Sequence, residues 1–271
     1  MLICDSQVHG PDTPHAGHVG GLDLEPLLRE MDAAGVDRCI VVPLDAPGDD
    51  LAANNPAALA MVHERPDRLA VMGRIHLANL ENARLLPGWK ADPSMLGIRV
   101  AFHRDPHLSL LKDRGLEWFW RGAEDAGIPI MMLVPNELVA TVGAVAERHP
   151  RLRLVVDHLG LTPYVHYDDL MPPLAPLLGL ARHPNVAVKA SALPDSVPDA
   201  FPFPSLHDPL HAVIDAFGPR RVFWGSDFTR TRVKCPYDEI VRLFRDELTF
   251  LSPQDREWIL GRGVTEWLGW P

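Results

Sequence analysis

The chain has 271 residues, 46% hydrophobic and 23% charged, with a formal net charge of −10 and a sequence pI near 5.7. That composition supports a sizeable core, in one large domain or two small ones. The negative balance argues against nucleic acid or an anionic membrane as the main partner, while leaving room for a locally basic pocket.

The N-terminal segment Met1–His9 reads as a short buried strand ending in polar groups at alternate positions. Strand side chains alternate faces, so Asp5, Gln7 and His9 are expected on one side. Next, Leu24, Leu27, Leu28 and Met31 recur at helical spacing, with Asp23 as N-cap and Gly35 as the stop. Cys39–Val42 then returns to an apolar strand pattern.

The same strand–helix unit recurs with a proline joint. Arg65-Pro66 precedes the run from Leu69, His149-Pro150 the run from Leu152, His183-Pro184 the run from Val186, and Gly218-Pro219 the run from Val222. Each proline stops a helix because it cannot donate and disfavours helix in the residue before it. Each following run is continuously apolar, as a parallel strand buried on both faces must be. Two more units begin at Gly97 and at Gly127-Ile128.

Eight strands are thus predicted, beginning near Leu2, Cys39, Leu69, Gly97, Ile128, Leu152, Val186 and Val222. Their spacing favours a (β/α)8 TIM barrel occupying residues 1–271 as a single domain. A doubly wound sheet is the runner-up. It lacks a phosphate loop of the GxGxxG type, since Gly20-Gly21 follows no convincing strand. The proline-rich pieces at Met171-Pro172-Pro173 and from Pro194 to Pro204 read as loops over the barrel.

Three cysteines, Cys4, Cys39 and Cys235, stand far apart and form no CxxC. They are expected to be buried free thiols in a reducing compartment. The N-terminus shows no basic segment followed by a long apolar one, and no apolar run approaches the ~18 residues that span a bilayer. A cytoplasmic location is the resulting expectation.

In a barrel, catalytic groups collect at the C-terminal strand ends. Here those ends carry Gln7 and His9 (first strand), Arg74 and His76 (third), and Arg99 with His103 and Arg104 beyond (fourth). Asp157 and His158 end the sixth, Lys189 and Ser191 the seventh, and Asp227 the eighth. Such a concentration of basic and imidazole groups at equivalent ends points to an active site.

The segments Asp5-Ser6-Gln7-Val8-His9, Asp157-His158-Leu159-Gly160, Val188-Lys189-Ala190-Ser191 and Trp224-Gly225-Ser226-Asp227-Phe228 resemble those of the amidohydrolase-related (amidohydrolase 2) family. So do Glu257–Gly261 and Trp267–Trp270, and the likeness spans the chain. The resemblance implies that Asp227 is the general base taking a proton from water. It also implies that His9 and His158 orient the substrate carbonyl and stabilise its oxyanion. Gln7, Arg74, Arg99, Lys189 and Ser191 are the expected substrate-binding residues. Arginine is suited to a carboxylate through a two-pronged contact.

Metal-binding members of the family use two histidines on the first strand, one after the fifth, and the eighth-strand aspartate. This chain has Gln7 in place of the first, and Ile130–Asn136 offers no imidazole. No tightly held metal cofactor is therefore expected. If a divalent metal such as zinc binds, its ligands would be His9, His158 and Asp227.

Weaker candidates are Arg230 and Arg232, on a loop able to close over the site, and Tyr164, His166 and Tyr167, as a lid or an exposed loop. Asn54 and Asn55 read as turn and N-cap chemistry, and His15 and His18 as ordinary loop histidines. No GxSxG elbow supports a covalent acyl-enzyme.

The resulting expectation is a hydrolase acting on a lactone or related ester of a small organic acid, with an anionic substrate as its partner; such barrels often pair as homodimers. The alternatives are a zinc-dependent decarboxylase or hydratase of the same superfamily, distinguished by metal content, and a catalytically silent barrel that binds an acidic metabolite.

Overall fold

The computed structural model describes residues 1–11, 20–44, 54–162 and 165–271. His15, His18 and Tyr164 lie outside the described residues. Eight strands form where the apolar runs predicted them: β1 (Cys4–His9), β2 (Arg38–Val42), β3 (Leu69–Gly73), β4 (Met95–Ala101), β5 (Ile130–Leu133), β6 (Leu154–Val156), β7 (Val186–Ala190) and β8 (Val222–Trp224). They lie in chain order and every neighbouring pair is parallel. The molecule is a single-domain (β/α)8 TIM barrel.

The first helix, α1 (Leu24–Ala34), buries Leu27, Leu28, Met31 and Ala34, and ends where Gly35 turns left-handed at φ 72°. The proline stops also act as predicted. Helices at Asn55–His63, Val139–Arg148 and His207–Phe217 each end ahead of Pro66, Pro150 and Pro219.

Two apolar layers result. Inside the barrel, Cys4, Ile40, Met72, Met131, Val155 and Phe223 pack together, with Leu268 and Trp270 of the C-terminal segment closing the end where the strands begin. Arg38 fastens that plug by stacking over the Trp270 ring and donating to the Pro271 carbonyl at 2.6 Å. Outside the barrel, a second and larger layer lies between strands and helices. The three cysteines are free and buried, and burial pushes all three thiols up from their usual range.

β1 departs from simple alternation. Asp5 pairs with Cys39 but Val8 pairs with Val41, three steps against two, so β1 carries one extra residue. Such a bulge moves every later side chain to the opposite face. Asp5 therefore shares the outer face with Val8, while Gln7 and His9 turn over the barrel mouth. The expected single row of Asp5, Gln7 and His9 is corrected by this bulge.

β8 and β1 close the ring without a full ladder. Backbone bonds run from Asp227 N to Gln7 O (3.0 Å) and from His9 N to Phe228 O (2.7 Å). The buried Asp5 carboxylate supplies the rest, accepting from Gln7 N (3.0 Å), Ser226 N (2.9 Å), Ser226 Oγ (2.5 Å) and Tyr237 OH (2.7 Å). Gly225 allows the close approach, because a Cβ there would run into the Ser6 hydroxyl. Among the described residues no helix is long and apolar enough to cross a membrane.

Candidate active site

Asp227 stands just past β8 at φ 58°, a left-handed conformation uncommon for a residue with a Cβ. The turn points its fully buried carboxylate across the barrel mouth. Oδ1 accepts from Gln7 Nε2 at 2.5 Å and lies 3.1 Å from His9 Nε2. Oδ2 faces His158 Nε2 at 3.8 Å and Arg230 Nη1 at 3.5 Å. Burial alone would raise this carboxyl. His158, the hydrogen bond and charge of His9, and Arg230 outweigh burial and hold it well below the usual carboxylate range.

Gln7 sits at the centre of a chain of polar contacts. Its amide oxygen accepts from the Lys189 ammonium, so its Nε2 is left to donate to Asp227. His9 Nδ1 lies 3.1 Å from the Val42 carbonyl, an acceptor, which fixes the ring with Nε2 toward Asp227. One side of the Asp227 carboxylate is thus pinned by two strand-one side chains.

Behind Gln7 lies a buried ion cluster. Asp157 Oδ1 is 2.8 Å from Lys189 Nζ, and its Oδ2 is 3.0 Å from Arg99 Nε. Burial works to raise the Asp157 carboxyl, but Lys189 and Arg99 outweigh it and hold it low. Arg74 is close enough that burial, and then the charge of Arg99, pull its guanidinium below its ordinary range. Farther out, burial together with Arg99, Arg104 and Arg74 pushes His103 down to about 4. Lys189 and Arg99 thus pair with one buried carboxylate, and Arg74 lies within electrostatic reach of Arg99 and Asp157.

His158 and the two residues after it, Leu159 and Gly160, all take left-handed angles (φ 54°, 53° and 66°). Such non-glycine angles cost of order 1 kcal/mol each and persist where surrounding contacts over-determine them. Here they aim His158 inward, with Nδ1 2.8 Å from Ser191 Oγ. Burial pushes the His158 imidazole down to about 4, against the opposing pull of Asp227 and Asp157. Ala192, after Ser191, is left-handed too (φ 57°).

The structure thus brings Gln7, His9, His158, Lys189, Ser191 and Asp227 into one connected network. Arg99 joins it through Asp157, and Arg74 adjoins Arg99. Lys189 is fully buried and spends its ammonium on Asp157 and Gln7. Arg230 meets both Asp227 and, at 3.2 Å, Asp195. Arg232 is exposed and lines a separate groove with Glu30, Cys235 and Asp238, away from the mouth. Tyr167 folds back, its OH accepting from Thr162 N at 3.1 Å, and His166 is exposed.

Three contributions escaped the sequence. Asp157 was visible as a strand end, but its pairing with Arg99 and Lys189 was not. Asn55 does more than turn chemistry: its Oδ1 accepts from Arg74 N (2.8 Å) and its Nδ2 donates to Arg74 O (2.9 Å), clamping that residue's backbone. Asn54 directs its amide to the Leu44 carbonyl at 2.9 Å instead of capping the helix. Spacing alone carried no signal for these partners.

Among the described residues no group of three His, Cys, Asp or Glu side chains is arranged to hold a metal ion. His9, His158 and Asp227 do converge, yet Gln7 turns its Nε2 donor toward Asp227 and His9 because the Lys189 ammonium occupies its oxygen. A metal ligand needs a lone pair where Gln7 offers protons, so these residues fit a metal poorly.

The amidohydrolase family profile matches residues 15–263. An L-fucono-1,5-lactonase from Burkholderia ambifaria is 30% identical over 226 residues, 79% of this chain and 71% of that protein. An amidohydrolase from Burkholderia multivorans, solved with bound zinc, has a TM-score of 0.84 at 24% identity over 100% of both chains. A probable 2-pyrone-4,6-dicarboxylic acid hydrolase from Acinetobacter baumannii, solved with citric acid bound, has a TM-score of 0.74 at 18% identity, again over 100% of both. Barrel, strand-end carboxylate and family profile agree: the chain belongs to the amidohydrolase family and is a hydrolase of the amidohydrolase superfamily.

Proposed function

We propose that the protein hydrolyses a lactone of a small organic acid, using Asp227 as the base and no metal step. The observation that carries this reading is the asymmetric setting of Asp227. Gln7 and His9 hold Oδ1, while Oδ2 faces His158 across 3.8 Å. That spacing is too long for a direct hydrogen bond and suits a reacting atom placed between the two groups.

In the proposed reaction, water attacks the lactone carbonyl as Asp227 Oδ2 takes its proton. In this reading His158 stabilises the negative charge that develops on the carbonyl oxygen by hydrogen bonding, while His9, engaged with Val42 O and Asp227 Oδ1, holds the base. Collapse of the tetrahedral intermediate breaks the ring C–O bond, and the proton on Asp227 passes to the departing alkoxide. The product is an open hydroxy acid, and Asp227 returns to its carboxylate form. The Burkholderia ambifaria lactonase supports the lactone class. The position of Arg99 and Arg74 beside the network supports a substrate with a carboxylate, which these arginines would hold.

The test is a panel of small lactones, with and without a carboxylate, assayed in the presence of a chelator, beside metal analysis of protein purified without one. Turnover that survives chelation is expected, with Arg99→Ala raising KM for carboxylated lactones by roughly tenfold to a hundredfold. Near-stoichiometric zinc whose removal abolishes turnover sinks the metal-independent reading. An unchanged KM in Arg99→Ala sinks the carboxylate site.

A further inference from the structure

Ser191 follows β7 and is fully buried, with its hydroxyl 2.8 Å from His158 Nδ1. A serine hydroxyl can donate or accept, so distance alone leaves the direction of this bond open. The far side of the ring favours one direction. His158 Nε2 faces Asp227 Oδ2 at 3.8 Å. With Oδ1 already bound by Gln7 and His9, and Arg230 nearby, that carboxylate is an acceptor.

A ring proton on Nδ1 would leave two lone pairs facing each other, one on Nε2 and one on Oδ2, in a buried setting where such repulsion is costly. A proton on Nε2 removes that conflict and leaves the Nδ1 lone pair to accept from Ser191. We infer that Ser191 is a positioning residue whose hydroxyl donates to Nδ1 and thereby holds His158 as the Nε2–H tautomer.

The direction of the Ser191 bond decides what His158 can do. As the Nε2–H tautomer it is a hydrogen-bond donor aimed at the oxygen that becomes negative during attack. As the Nδ1–H tautomer it would present a lone pair there and compete with Asp227 for the water proton. This catalytic consequence rests on the lactonase reading, whereas the tautomer does not. Ser191 accordingly acts through His158 instead of touching the substrate. Left-handed backbone stands on both sides of the pairing, at His158 itself and at Ala192 after Ser191.

The decisive measurement is nitrogen NMR of the imidazoles in uniformly 15N-labelled protein at pH 7. A His158→Gln sample identifies the His158 signals. A protonated Nε2 with an unprotonated Nδ1 is expected. A proton on Nδ1, whether alone or together with Nε2, overturns the inference. As a second readout, Ser191→Ala should lower kcat on a turned-over lactone roughly tenfold while leaving KM within about twofold. A wild-type kcat in that variant overturns the positioning role. If no lactone is turned over, the lactonase reading fails, and the NMR result still decides the tautomer.

Discussion

Asp227 and Gln7 carry the argument at the scale of single residues. In the proposed reaction Asp227 takes the proton from water, so Asp227→Asn should lower kcat by roughly 10²–10⁴-fold with a smaller change in KM. An equal loss in KM alone would contradict the assignment. Gln7 donates an amide proton to Asp227 at 2.5 Å, a hydrogen bond that favours the ionised form. Gln7→Glu would put a second carboxylate at that distance, and like charges raise a carboxyl pKa. The acid limb of kcat/KM should then move up by about one unit or more, which a pH–rate profile against wild type checks. In wild type the Asp227 carboxyl is held well below its usual range, so protonation of the base does not limit activity near neutrality. Protonation of His158, near pH 4, comes before it, and an acid limb close to 6.5 would contradict that order.

Among the elements, the bulged strand β1 does the most to build the site. With its extra residue placed after Asp5, Asp5 faces outward to hold the β8 loop while Gln7 and His9 face inward to hold Asp227. Asp5→Asn keeps the shape but replaces one acceptor oxygen with a donor among Ser226, Tyr237 and backbone N–H groups. Thermal unfolding should show a loss of about 2 kcal/mol, the scale of a buried hydrogen bond left unmade, and an unchanged melting temperature would count against the seam. The strands themselves were legible because parallel strands buried on both faces read as unbroken apolar runs, and prolines marked where helices stop. The bulge was not, since the letters from Cys4 to His9 alternate in the same way with or without an extra paired residue. Nor were the left-handed turns at His158, Leu159 and Asp227 legible, because tertiary contacts rather than glycine impose them. The site residues could be found from their strand-end positions. Their partners could not, since Gln7 and Lys189 are 182 positions apart and Arg99 and Asp157 58 apart.

The whole molecule carries a net charge of −10, while Arg74, Arg99 and Lys189 stand together near the site. The proposed anionic substrate would be attracted by these cations and repelled by the remainder, and salt screens both over about 8 Å at physiological ionic strength. KM for a carboxylated lactone should therefore depend on ionic strength more than KM for a neutral one. Acid stability follows from His103, His107 and His158, each pushed down to about 4 chiefly by burial. The unfolded chain takes up these protons near pH 6.5 while the folded chain resists until about 4. Stability is thus complete above 6.5 and falls as pH drops through that window. Urea unfolding at pH 7, 5.5 and 4.5 should show successively lower midpoints, and a constant midpoint would argue against buried neutral imidazoles. The β1–β8 seam carries a further consequence, for the order of folding. Asp227 N meets Gln7 O, and Asp227 Oδ1 meets Gln7 Nε2 across 220 positions of chain. Contacts of that separation are late to form because loop closure must precede them. The base acquires its partners only when the first and last strands have met, so during refolding enzymatic turnover should return after helical circular dichroism has recovered.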